Sequence, residues 1–371
     1  MDTRIEKLAS VMATYSLELK KGDWVKIIGN PFAMPLVKAF YKKAIEVGAF
    51  PFYQAAVDDL QEIFLKHGSD DQLQYIPETI KLETEKLDAV FTILGQSNTK
   101  FLTNVDPSKQ ALAQLAQKDI MKRFMERSAK GELKWVATMF PMQSAAQDAE
   151  MSLTEYEDFV YGAGHLDNDD PTVFWKELSS RQAKICQFLD TLKEIRVKAK
   201  DTDLALKVEG RKWINCDGKK NFPDGEVFTS PVEDTVEGTV LFSYPACFGG
   251  REVENVRLEF KEGKAIRTDA SKNLSFLEEM IGMDKGASFV GEFAIGTNDN
   301  ITKFTKNILF DEKIGGTIHL ALGASIPESG GKNESALHWD MVCDLRDGGE
   351  IYGDGELIYK DGKFFVDSKI T

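Results

Sequence analysis

Short apolar runs alternate in the first half of the chain with stretches whose apolar positions recur every three or four residues. Residues 24–28 and 50–53 read as strands, and residues 35–47 between them have helical spacing, which is typical of a strand-helix-strand unit. Further apolar runs at 87–94 and 134–138 predict two more buried strands. Because strands joined by helices usually pair in parallel, the pattern predicts a doubly wound, mostly parallel α/β sheet.

The pattern changes near residue 197 to short alternating segments, with one helix expected near residues 275–280. We therefore predict an α/β scaffold domain over residues 1–195 and a β-rich α+β domain over residues 196–371. A helix over residues 179–198 is expected to link them. Tight turns between antiparallel strands are predicted where an acidic residue precedes glycine, at 217–218, 224–225, 262–263, 354–355 and 361–362.

No G-x-G-x-x-G or Walker sequence follows any predicted strand of the first domain, so we expect that domain to be a scaffold that binds no nucleotide. Acidic residues outnumber basic residues 60 to 46, giving a net charge of -14. Such a chain repels a phosphate backbone or an anionic bilayer, which argues against nucleic acid and membrane partners. No apolar segment approaches the length of a membrane span.

The four cysteines, Cys186, Cys216, Cys247 and Cys343, are scattered and form no C-x-x-C pair. This spacing fits neither a disulfide framework nor a thiolate zinc site and indicates a reducing compartment. Residues 1–19 contain charged residues among the apolar ones and do not resemble a signal peptide. The expected location is the cytoplasm.

His319 is one of only four histidines and lies in an alternating segment. If the segment is a strand, Ile318 and Leu320 point to one face, while His319 lies on the other face between the small residues Thr317 and Ala321. That face has room for an ion or a ligand. A histidine alone could equally be a hydrogen-bonded structural residue.

His338 and Asp340 are two residues apart, so in a strand both project from the same face while Trp339 packs behind them. This geometry suits two ligands of one metal, or a histidine oriented by a carboxylate. Two histidines in such positions within one domain favour a site over two unrelated structural residues.

Two glutamates occupy positions where a carboxylate is costly. Glu292 interrupts an otherwise apolar segment, and Glu226 lies between Gly225 and Val227. A buried carboxylate must be paired or metal-bound, although either residue could instead point to solvent. Carboxylates and imidazoles without thiolates are the ligands of Zn, Co, Mn or Mg, and such a set can hold two ions about 4 Å apart. Hydrolysis is the natural chemistry of this site, and no G-x-S-x-G elbow is present.

Several ordered motifs carry a resemblance to one family, the thermophilic-type aminopeptidases of metallopeptidase family M29. The first, residues 221–234, reads NFPDGEVFTSPVED. Further matching motifs lie at residues 140–143, 151–159, 289–298, 315–323 and 330–340. The resemblance covers most of the chain and implies a homodimer that acts on peptides with a free N-terminus.

Carried onto this sequence, the resemblance implies a pair of divalent ions and assigns ligands to them. The implied ligands are Glu226, Glu292, His319, His338 and Asp340, and Glu312 matches a further acidic position. The chain departs from the family at Ile326, where the family has a tyrosine followed by proline. A tyrosine hydroxyl there can donate to a developing oxyanion, and isoleucine cannot.

The sequence thus predicts a metal-dependent aminopeptidase in which residues 196–371 form the catalytic, metal-binding domain. A water activated by two metals attacks the first peptide carbonyl, and Glu226 or Glu292 handles the proton. Two alternatives stay open: a metal-dependent hydrolase of another small amide, and a weakly active or non-catalytic metal-binding paralogue.

Overall fold

The structure, a computed structural model, describes residues 2–365 as alternating helices and strands followed by a strand-rich region. The helices are α1 (Thr3–Val11), α2 (Met34–Val47), α3 (Asp58–His67), α4 (Asp70–Gln74), α5 (Glu78–Lys86), α6 (Pro107–Ala116), α7 (Lys118–Ala129), α8 (Gln143–Asp148), α9 (Leu153–Ala163), α10 (Pro171–Leu189), α11 (Leu274–Ile281) and α12 (Ile308–Asp311). The strands are β1 (Trp24–Gly29), β2 (Phe50–Ala55), β3 (Ala89–Leu94), β4 (Lys134–Met139), β5 (Glu194–Ala199), β6 (Thr202–Lys207), β7 (Ile214–Cys216), β8 (Asn221–Phe222), β9 (Glu226–Thr229), β10 (Glu237–Leu241), β11 (Ala246–Phe248), β12 (Arg251–Val253), β13 (Arg257–Lys261), β14 (Lys264–Asp269), β15 (Val290–Gly296), β16 (Thr317–Gly323), β17 (His338–Asp344), β18 (Glu350–Gly353), β19 (Glu356–Lys360) and β20 (Lys363–Phe364). Within the described part of the chain, no helix is both long and apolar enough to cross a bilayer.

The chain forms two compact units, Met1–Thr172 with Gly218–Phe222, and Val173–Asp217 with Pro223–Thr371. The first division along the chain lies earlier than residue 195, because most of α10 packs with the second unit. Ile185 and Leu189 of α10 belong to the same buried cluster as strands of that unit. The two domains expected from the sequence remain a prediction, and residues 366–371 of the second lie outside the described part.

The first unit contains a parallel sheet with strand order β2-β1-β3-β4-β8. This confirms the predicted α/β class. Helix α2 ends at Gly48, which has a left-handed backbone at φ 91° that lets the chain turn back into β2. Phe40 of α2 packs on Phe91 of β3 with ring centroids 4.3 Å apart, so the apolar face of this helix covers the sheet.

Antiparallel sheets dominate the second unit and confirm its predicted β-rich character. One has eight strands in the order β14-β13-β10-β6-β5-β18-β19-β20, and another has five in the order β17-β16-β15-β9-β7. Three of the predicted acidic-glycine turns connect neighbouring strands, and both turn residues have positive φ in each. Side chains of both sheets share one buried apolar cluster. One face of the five-stranded sheet therefore lies in the core, and the opposite face carries the side chains that alternate with the core residues.

The predicted helix over residues 179–198 is only partly correct. Helix α10 ends at Leu189, and residues 194–199 form strand β5. Ile195 and Val197 alternate into the core and are fully buried. The alternation of buried and exposed residues therefore makes this segment a strand, because β-branched residues pack well on a pleated sheet.

Candidate metal centre

Neighbouring strands of the five-stranded sheet place the predicted site residues in register. Glu292 of β15 lies opposite Ala321 of β16, which in turn lies opposite Asp340 of β17. His319 is two residues before Ala321, so its side chain leaves the same face of β16. The side chains of Ile318, Leu320 and Leu322 lie in the buried apolar cluster, as the alternation predicts.

Glu226 joins this face from the first position of β9, where it pairs with Gly296 of β15. On β15, the residues that share the face of Glu292 are the small Ala294 and Gly296. They leave room for the acidic and imidazole groups. Trp339 packs behind His338 against Phe248 and Phe276, as expected. The strands therefore present polar groups on one face and a packed core on the other.

Glu312 reaches the site from outside the sheet, at the end of the one-turn helix α12. Asp311 anchors that turn by accepting hydrogen bonds from the backbone N–H (2.7 Å) and hydroxyl (2.9 Å) of Thr305. The carbonyl oxygen of Glu312 lies 3.0 Å from Nδ1 of His319. One turn thus supplies a carboxylate and also orients a histidine.

Both histidines are held in the same way. Nδ1 of His319 faces the Glu312 carbonyl, and Nδ1 of His338 lies 2.9 Å from the carbonyl oxygen of Ala324. In the neutral imidazole, a proton on Nδ1 donates to the carbonyl oxygen. The lone pair then lies on Nε2, which points into the site. Backbone orientation of this kind is typical of metal-binding histidines.

Glu292 lies between the two histidines. Its Oε1 is 3.3 Å from Nε2 of His319, and its Oε2 is 3.7 Å from Nε2 of His338. Nε2 of His338 is also 3.5 Å from Oδ1 of Asp340, and Nε2 of His319 is 3.6 Å from Oε2 of Glu226. Each of these carboxylate oxygens therefore faces a histidine nitrogen. The distances between them leave space for a cation beside both atoms.

Two three-residue groups have ligand atoms within 4.8 Å of one another. One is Glu226, Glu312 and His319, and the other is Glu292, His338 and Asp340. The structure thus brings together all six residues singled out from the sequence. A third group, Cys216, Asp224 and Glu226, shares a glutamate with the first.

Buried polar atoms at this site lack partners. Oε2 of Glu226 and Oδ1 of Asp340 are buried and accept no hydrogen bond. Unsatisfied buried carboxylate oxygens are costly, and a divalent cation would satisfy them. The donor set of carboxylate oxygens and imidazole nitrogens therefore fits Zn, Co, Mn or Mg.

The pKa values of the site residues also indicate that the site favours a cation. Burial alone lowers the pKa of both histidines, but the nearby carboxylates of Glu292 beside His319 and of Asp340 beside His338 outweigh it, and each pKa rises to about 10. Burial raises the pKa of Glu226 well above its usual range, despite the nearby ammonium of Lys313. These groups therefore attract positive charge strongly.

Sequence reasoning missed three residues of this region. Lys313 is fully buried and contacts Glu226 and Glu312, Asp224 is 2% exposed, and the fully buried Gln182 donates to the carbonyl oxygen of Glu226 at 3.1 Å. Asp224 was attributed to a turn because glycine follows it. Neither Lys313 nor Gln182 has a local signal, since the site emerges only when α10, α12 and the sheet meet.

Gly225 precedes Glu226 and has a backbone that few other residues adopt, at φ +122°. A Cβ there would lie 2.7 Å from the Cβ of Asn298, whose amide donates to the carbonyl oxygen of Asp224. We expect Gly225→Ala to cost at least about 1–3 kcal/mol of unfolding free energy and to weaken metal binding, because the backbone before Glu226 must shift. Denaturant unfolding and metal titration measure the two effects.

Gly355→Ala is the matched control, since Gly355 also has positive φ (+84°) but no atom within 4 Å of the added Cβ. That variant should lose less stability and keep its metal affinity. Equal metal affinity in both variants would show that the Gly225 segment does not position Glu226.

Comparisons with known proteins identify the family of this chain. Residues 1–364 match the family described as thermophilic metalloprotease (M29). Aminopeptidase 2 of Geobacillus stearothermophilus is 25% identical over 406 aligned positions, covering 98% of each chain. Aminopeptidase T of Thermus thermophilus is 27% identical, covering 96% of this chain and 95% of the relative.

Among solved structures, wild-type AmpT from Thermus thermophilus superposes with a TM-score of 0.85. It is 24% identical, and the match covers 98% of this chain and 99% of that chain, which shows a common fold. Since the family match spans nearly every residue, the chain belongs to the thermophilic metalloprotease family, M29, and is a metal-dependent peptide hydrolase.

Proposed function

We propose that this protein is an aminopeptidase that uses two divalent cations to release N-terminal residues from peptides. The position of Glu292 carries the proposal, because its two oxygens face the Nε2 atoms of His319 and His338 separately. A carboxylate so placed is suited to bridge two ions. The names of the aminopeptidase relatives support the choice of substrate.

One cation position would comprise Glu226, Glu312 and His319, and the other Glu292, His338 and Asp340. When bound, the two cations would polarise the scissile carbonyl and lower the pKa of a water. The backbone carbonyls of Glu312 and Ala324 keep the histidines oriented with Nε2 inward. The protein thus contributes preorganised ligands rather than mobile ones.

Proton transfer falls to a carboxylate of the site, Glu226 or Glu292. Either carboxylate can take a proton from the attacking water and pass it to the leaving amine. The surplus of carboxylates over ammonium groups in the site favours a protonated α-amino group on the substrate. This surplus supports cleavage next to a free N-terminus.

Aminoacyl reporter amides test the activity. The chelator-treated protein should be inactive, and added Zn, Co, Mn or Mg should restore cleavage of amides with a free α-amino group. N-acetylated versions of the same amides serve as the control and should resist cleavage. Cleavage of modified dipeptides alone would favour a hydrolase of other small amides, and metal binding without any turnover would favour a non-catalytic paralogue.

Metal binding should release protons near neutral pH. With pKa values of about 10, both histidines are protonated in the metal-free protein at pH 7, and each must lose a proton to bind a cation. Affinity should therefore rise as the pH increases toward about 10 and fall as the pH decreases. Calorimetric titration in two buffers with different ionisation enthalpies measures the released protons.

His338→Ala should release about one proton fewer than the native chain. A proton release that is absent in the native chain, or unchanged in the variant, would show that the histidines do not exchange a proton for a metal.

We also propose a cytoplasmic homodimer. The four cysteines, all in the described part of the chain, form no disulfide, and two of them are buried, which supports a reducing compartment. The dimer rests on the family resemblance. Light scattering during gel filtration tests it, and a monomer at working concentrations would contradict it.

A further inference from the structure

Lys313 is the one basic residue that the site encloses among the residues the structure describes, apart from the histidines. Its side chain has no exposed surface, and its Nζ lies 3.6 Å from Oε1 of Glu226. The same Nζ donates to Oε1 of Glu312. Two of the three proposed ligands of one cation position therefore already share an ammonium group.

The other cation position has no such partner. Among residues 2–365, Glu292 and Asp340 form ion pairs only with His319 and His338, and no lysine or arginine lies within 4.0 Å of either carboxylate. The two histidines also differ in depth, since the side chain of His338 is 34% exposed and that of His319 is 1% exposed. One position thus has a partly exposed histidine and no fixed positive charge, whereas the other has a buried histidine and a buried ammonium.

We propose that Lys313 makes the two metal positions unequal, so that the Glu292, His338 and Asp340 position fills first and the Glu226, Glu312 and His319 position fills second and more weakly. This inference rests on the proposed two-cation function. A cation that enters the second position must separate the ammonium from two carboxylates and then remain close to it. Buried like charges repel strongly, because water and salt do not screen them.

The charge of the whole site adds to the difference. The four proposed carboxylate ligands are balanced by a single ammonium, which contacts only Glu226 and Glu312. After a first divalent cation binds, the negative charge that remains is therefore smaller than the positive charge of a second cation. The second cation therefore meets a weaker attraction as well as a nearer positive charge. We expect the two dissociation constants to differ about 10–10³-fold, the range over which one neighbouring charge shifts the binding of a proton.

Titration of the chelator-treated full chain with Co²⁺ tests the proposal, with heat and the visible absorbance of bound Co²⁺ as the readouts. The native chain should bind in two separate steps. His338→Ala should remove the tight step, and Glu312→Gln should remove the weak step. Lys313→Gln should tighten the weak step at least about tenfold and bring the two steps together, whereas the charge-preserving control Lys313→Arg should keep them apart.

Three results would overturn the inference: equal affinities in the native chain, loss of the tight step in Glu312→Gln, or an unchanged weak step in a folded Lys313→Gln. If Lys313→Gln fails to fold without metal, as far-UV circular dichroism will show, the native chain and the two ligand variants still decide the order of filling. Failure of the proposed function is a distinct result, since a chain that cleaves peptides with two equal metals retains that function and loses only this inference. A chain that binds no Co²⁺ loses both.

Discussion

Glu292→Gln should lose metal and peptidase activity together, with turnover reduced on the order of 10³-fold or more, because one residue faces both histidines. The amide has nearly the same volume as the carboxylate, so the core behind β15 should pack unchanged. The amide carries no charge. Its NH₂ group can neither accept a hydrogen bond nor bind a cation. Metal content per chain and turnover of an aminoacyl amide measure the effect.

Glu334→Gln is the matched control, because it makes the same chemical change at an exposed position four residues before His338. It should keep full metal content and activity. If Glu292→Gln also retained both, Glu292 would not be a ligand, and the proposed bridge between the two cation positions would be wrong.

Ile326→Tyr should increase turnover, by up to about 10²–10³-fold if the hydroxyl donates to the oxyanion. Ile326 lies two residues after Ala324, whose carbonyl orients His338, and its own carbonyl accepts a hydrogen bond from the Ser329 hydroxyl at 2.7 Å. Its backbone is extended at φ -90° and ψ 113°, which tyrosine adopts without strain. The segment is therefore fixed enough to present a new hydroxyl at a defined place.

Turnover should increase more than the Michaelis constant falls, because a hydrogen bond to the oxyanion strengthens in the transition state. Ile326→Phe is the control, since it adds the ring without the hydroxyl and should leave turnover near the native value. Equal turnover in the tyrosine and phenylalanine variants would show that this position does not serve the oxyanion.

Patterns along the chain were enough to predict the α/β and β-rich fold classes and the faces of the key strands. The alternation around His319 is strict, and the spacing of His338 and Asp340 is two, so each side chain has only one face available in a strand. The acidic-glycine pairs likewise determined three hairpins, because positive φ at both turn residues is a local requirement. Such features depend on neighbours along the chain and are visible without a fold.

Which groups meet, and what surrounds them, depends on contacts between segments that are distant along the chain. The helix expected over residues 179–198 ends at Leu189, and residues 194–199 form strand β5 because pairing with β6 and β18 buries Ile195 and Val197. Lys313 follows Glu312 like many surface lysines, and nothing in the sequence distinguishes it. Its burial beside Glu226 arises because α12 meets the sheet there, and charge interactions of this kind depend on distance and solvent exclusion rather than on sequence spacing.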